Sequence, residues 1–168
     1  KSRTLGGSSD LTLLAPIRPG LVDALESVTN KTRVQRTLEA LHLARAAAHE
    51  HALARLLSDA VERVGVIHSV RVAVLEPQDQ LLLAVTFDGP WEAYIRLLWH
   101  KVGPLLDTIF CSTVGYVAAH DHSLDEWLTW VRSVQVETGF FYGPPDVTAR
   151  DVVLHRRLEA MRQRGLDA

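Results

Sequence analysis

Three observations predict an α+β fold of antiparallel strands and amphipathic helices. Residues 67–75 (IHSVRVAVL) alternate apolar and polar side chains, as a half-buried strand does. Residues 81–87 (LLLAVTF) are apolar except for Thr86, and the turn residues Glu76-Pro77-Gln78-Asp79 make an antiparallel hairpin of the two stretches. After Asp88-Gly89-Pro90, the residues Trp91, Ile95, Leu98, Val102, Leu105 and Ile109 recur at steps of three and four, which is one face of a helix.

The remaining elements follow in order. Residues 1–10 (KSRTLGGSSD) read as a linker, and residues 11–17 (LTLLAPI) as the first strand. Pro19-Gly20 is expected to open a short helix through Leu21, Val22, Leu25 and Val28. Thr32 with Gln35 fits a capping box, in which two helix-end groups satisfy each other. A helical stretch from 33 to 64 then places Val34, Leu38, Leu41, Leu53, Leu56, Leu57, Val61 and Val64 inward, with Gly65 to end it. Continuous, it would be about 48 Å long, so a break near residues 48–51 or a projecting arm is expected.

Pro90, which has no N–H, suits the first position of the helix that follows the hairpin, with Gly89 as its N-cap and Glu92 near its positive end. Gly103-Pro104 should kink that helix. Residues 113–119 (TVGYVAA) are the expected fourth strand. The order β-α-β-β-α-β is the ferredoxin-like split βαβ plan, here with an enlarged first helical region. Residues 11–122 would form this domain. Residues 123–168 would be a C-terminal helical extension packed on it, with capping boxes at Ser123/Glu126 and Thr148/Asp151 and an aromatic turn at Phe140-Phe141-Tyr142.

Composition narrows the function. A chain of 168 residues can bury a core without a disulfide or metal staple. Net charge is −2, which gives no general argument for nucleic acid or anionic membranes. Arg156, Arg157, Arg162 and Arg164 make a basic last helix, but Asp151, Glu159 and Asp167 dilute it to a solvated face. No run approaches the ~20 apolar residues of a membrane span. Cys111 is the single cysteine, so no internal disulfide forms and a reducing, cytoplasmic setting is expected. The sequence starts without Met, so membership in a longer chain is also an expectation.

Several segments carry a family resemblance: Leu14-Ala15-Pro16-Ile17-Arg18-Pro19-Gly20, His68 entering the second strand, Thr86-Phe87-Asp88-Gly89-Pro90-Trp91-Glu92-Ala93-Tyr94, Cys111 with Gly115-Tyr116, and Phe141-Tyr142-Gly143. Together they resemble bacterial ferredoxin-like, dimeric α/β-barrel proteins similar to haem-dependent (Dyp-type) peroxidases. The resemblance spans most of residues 11–155. It implies haem as a possible cofactor and a homodimer. Thr86 stands where that group commonly has Asn, and the first glycine of the GxxDG acid motif is absent.

Among eight histidines, His68 shares an expected strand face with Val70, Val72 and Val74, where low dielectric keeps imidazole neutral and able to ligate. Its alternative reading is a strand-end histidine bonded to backbone. Arg71 and Asp88 are the one Arg and acid pair that could polarise peroxide and move its proton; Asp88 otherwise reads as a helix-entry residue. His120-Asp121-His122 reads as a solvated loop, His100 as surface, and Cys111 as a small packed group. Neither HExxH nor CxxC occurs. Trp127 and Trp130, three apart, are expected to seal a subunit or domain boundary. Three functions follow as expectations. The first is a ferredoxin-like association or ligand-binding domain, paired with a second copy or with other domains of a longer chain. The second is a haem-binding, peroxidase-like enzyme. The third is a cofactor-free monooxygenase-like barrel using Asp88, Tyr94 and Tyr116.

Overall fold

The computed structural model describes residues 4–5, 7–23, 25–46, 65–142 and 147–166. The chain is α+β. Its sheet is built on three nine-residue strands: β2 (Ser8–Pro16), β5 (Ile67–Leu75) and β6 (Gln80–Asp88). β6 lies between the other two and is antiparallel to both. The short β1 (Thr4–Leu5) and β7 (Gln135–Val136) share the outer edge of β2. The 76–79 turn joins β5 to β6 as the sequence predicts.

β6 alternates strictly. Leu81, Leu83, Val85 and Phe87 are buried, and Leu82, Ala84, Thr86 and Asp88 are half-buried on the other side. Register carries the alternation across β2, where Leu11, Leu13 and Ala15 face Val85, Leu83 and Leu81. Among the described residues, three helices cover this apolar face: α1 (Asn30–Ala46), α2 (Trp91–Phe110) and α3 (Leu124–Val134). α2 buries Tyr94, Ile95, Leu98, Val102, Leu106 and Ile109, and Tyr94 stacks on Phe87 with ring centroids 3.6 Å apart. The Ser123/Glu126 capping box forms as predicted.

Several expectations are corrected. The Pro19-Gly20 segment opens no helix. Gly20 adopts φ +83°, and the chain turns into a hairpin of β3 (Leu21–Val22) and β4 (Leu25–Thr29). α1 starts earlier than the Thr32 cap would allow: the Thr29 hydroxyl accepts the Thr32 N–H at 3.1 Å. The rest of the long helical stretch, with its expected break, lies outside the described residues. α2 has Pro90, not Gly89, at its N-cap. β2 begins at Ser8, so Ser8, Ser9 and Asp10 of the expected linker are buried strand residues. Trp127 and Trp130 are 2% and 5% exposed; they belong to the core and present no boundary surface. α4 (Ala149–Leu166) keeps its Thr148/Asp151 capping box but leaves Leu158 and Met161 exposed.

The expected strand at 113–119 is a loop, touching the sheet through a single Ile17–Thr113 bridge. Gly115 at φ +65° breaks the extended path. The Asp107 carboxylate of α2 then draws the chain inward, accepting from the Tyr116 hydroxyl at 2.6 Å, the Ala119 N–H at 2.7 Å and the His120 N–H at 3.3 Å. A Cβ on Gly103 would stand 3.1 Å from the Ala119 Cβ, so the loop reaches α2 because position 103 has no side chain. Tyr116 packs edge-on to Trp130, and β7 takes the place on β2 left by the loop.

His120 Nδ1 lies 2.8 Å from Asp107 Oδ2, and Nε2 lies 2.9 Å from Asp121. The Asp107 hydrogen bond, with both carboxylates nearby, raises the His120 pKa. Burial pushes Asp107 up, but hydrogen bonds from Tyr116, Ala119 and His120 outweigh it and hold the carboxyl below its ordinary value. A raised histidine pKa gives stability that is full below the unfolded value, near 6.5, and lost as pH rises through the folded value. A lowered aspartate pKa gives stability lost as pH falls through its folded value. The tie is therefore strongest in mildly acidic solution. Urea midpoints should fall from pH 5.5 to 8 in the parent relative to His120→Gln; a constant difference between the two would count against the tie.

Candidate functional site

The face of the sheet turned away from the helices is built in rows by the same register. Asp10, Thr86 and Ser69 form one row across β2, β6 and β5. Thr12, Ala84 and Arg71 form the next, and Leu14, Leu82 and Ala73 the third. The face is thus polar at one end and apolar at the other.

After β7, residues 137–142 cross the polar end. The Thr138 hydroxyl donates to the Asp10 carboxylate, which is 6% exposed. A buried carboxylate needs such donors, because desolvation of its charge is otherwise costly. Between this crossing and the sheet lies a groove of about 340 Å³. Its walls include Thr12, Ser69, Arg71, Ala84 and Thr86 from the strands and Phe140 and Phe141 from the crossing segment. Arg71 is exposed and, among the described residues, pairs with no acid. Phe140 is 85% exposed.

His68 and Asp88 lie elsewhere. A bulge between Ile67 and Ser69 interrupts the alternation of β5, so His68 does not continue the row of valines. Its Nε2 is 2.6 Å from Asp88 Oδ1, and both side chains are largely buried. The other oxygen, Oδ2, accepts the Ala149 N–H at 2.8 Å. Asp88 thus puts a carboxylate on the first turn of α4, where free N–H groups and the helix dipole favour it. It is a helix-entry residue, but for a helix 61 positions away.

Of the three residues nominated from sequence, Arg71 lines the groove, while His68 and Asp88 occupy each other outside it. Asp10, Thr138 and Phe140 were the missed contributors. Asp10 was hidden because it was read into the linker, although it continues the polar alternation of Thr12. Phe140 was visible as part of an aromatic turn, without a sign of which surface it crosses.

Asp88→Ala should cost about 2 kcal/mol, the scale of charge-assisted hydrogen bonds, and should free the α4 amides. Hydrogen exchange is expected to accelerate at 149–152 and to stay slow at 81–87; equal change in both would show general unfolding.

Compared with family models, curated proteins and solved structures, the chain matches none.

Proposed function

We propose that this chain is a ferredoxin-like ligand-binding domain whose site is the groove on the open face of the sheet. The strand order β7-β2-β6-β5 supports the fold part, since β2 and β5 run the same way with β6 between them. The function part rests on one observation: a cation, hydroxyls and an uncovered aromatic ring converge on a concave surface. Small-molecule sites combine apolar walls with a few convergent polar groups in this manner.

Haem, the cofactor that the resemblance implies, does not fit these residues. His68 Nε2 is held by Asp88, and neither residue lines the groove with Arg71. The expected result with haemin is no Soret shift that depends on His68. A screen of small neutral, cationic and anionic compounds by amide chemical shifts should perturb 69–71, 84–86 and 138–141 together. No response there to any compound would sink the ligand-binding reading.

The apolar end of the face supports a second proposal, association with another copy of this chain. Leu14, Leu82 and Ala73 are half-exposed in one row, and an antiparallel sheet with one uncovered apolar region is commonly closed by a partner. Sedimentation equilibrium should give a dimer that Leu82→Lys dissociates. A monomer at high concentration would count against it.

A further inference from the structure

Resting on the ligand-binding reading, we infer that the groove takes a small planar aromatic carboxylate, with Arg71 holding the carboxylate and Phe140 stacking on the ring. The charge comes first. Among the described residues that line the groove, Arg71 is the one cation and Asp10 the one anion. Arg71 is exposed and without an acid partner among the described residues, and Asp10 is buried against Thr138. A guanidinium presents a planar fork of donors that a carboxylate matches with two parallel hydrogen bonds. A phosphate dianion asks for more positive charge than one arginine supplies.

Position comes next. Arg71 and Asp10 stand on outer strands, in adjacent rows. Two strand spacings and one two-residue step separate their Cα atoms by roughly 12 Å. A carboxylate held on the β5 side of the groove therefore stands away from Asp10 on β2. The hydroxyls of Ser69 and Thr86, on β5 and β6, make no hydrogen bond among the described residues and can complete its donor set.

Shape gives the remainder. Ala84, between Thr12 and Arg71, makes a low floor. Phe140 lines the same groove with 85% of its surface uncovered. A flat ring laid on the low floor can stack on the free face of Phe140, and offset stacking rewards an aromatic ring over a puckered one. The volume, about 340 Å³, is near the lower end of the roughly 300–1,000 Å³ found for ligand pockets, so a molecule of one or two rings is indicated.

The test is an amide-shift titration of the full chain with benzoate, benzamide and cyclohexanecarboxylate. Benzoate is expected to bind about tenfold more tightly than uncharged benzamide, the effect of one charge-assisted pair. Arg71→Gln should remove that preference. Phe140→Ala, at an exposed position, should remove the preference for benzoate over cyclohexanecarboxylate while leaving the fold unchanged. Benzamide binding as tightly as benzoate, or benzoate binding equally to Arg71→Gln, overturns the carboxylate assignment. Benzoate that leaves 69–71 and 138–141 unmoved up to roughly 10 mM overturns it as well. If other compounds shift those same amides, only the ligand class has failed; if none does, the ligand-binding reading fails with it.

Discussion

The pairing of β2 with β6 is the constraint on which the rest depends. It runs unbroken from Ser8 opposite Asp88 to Pro16 opposite Gln80. Side chains in a strand alternate with period two, so a slip of one residue would exchange the two faces entirely. Leu11, Leu13, Leu83 and Val85 would meet water, and Asp10 and Thr12 would meet the helices. Burial of the apolar rows under α2 and α3 selects the register. The register in turn gathers Asp10, Thr12, Ala84, Thr86, Ser69 and Arg71 on the opposite side. The groove is thus a by-product of building the core.

This explains what could be read in the sequence. β5, β6, α2 and the capping box of α3 were legible because local periodicity and turn chemistry determine them. The hairpin of β3 and β4 was not, since Pro-Gly opens a turn as readily as a helix and the decision falls to Gly20 at φ +83°. Residues 113–119 have the composition of a strand. Tertiary contacts override it: the Asp107 carboxylate satisfies two donors of that segment and the His120 N–H just after it. Such competition between local preference and a distant polar group leaves no periodic trace.

The candidate site was legible in part for a related reason. Arg71 was identified because it is a charged residue within an apolar strand. Its companions come from residues 10 and 138–141, more than a hundred positions apart, and pairing of β7 with β2 is what brings them together. Asp88 was noticed for its position after a strand. That its carboxylate joins His68 to the start of α4 follows from three-dimensional closure alone.

The bulge at His68 has a bearing on how the molecule behaves in a crowd. Among the described residues β5 is the terminal strand of the sheet, so the backbone groups along its outer side pair with no other described strand. Long, flat, uncharged edges of this kind recruit neighbours and seed aggregates. Here the extra residue distorts the first third of the edge, and the guanidinium of Arg71 adds a charge beside its middle. The irregularity that moves an imidazole toward Asp88 also makes the open margin of the sheet a poor template for further strands.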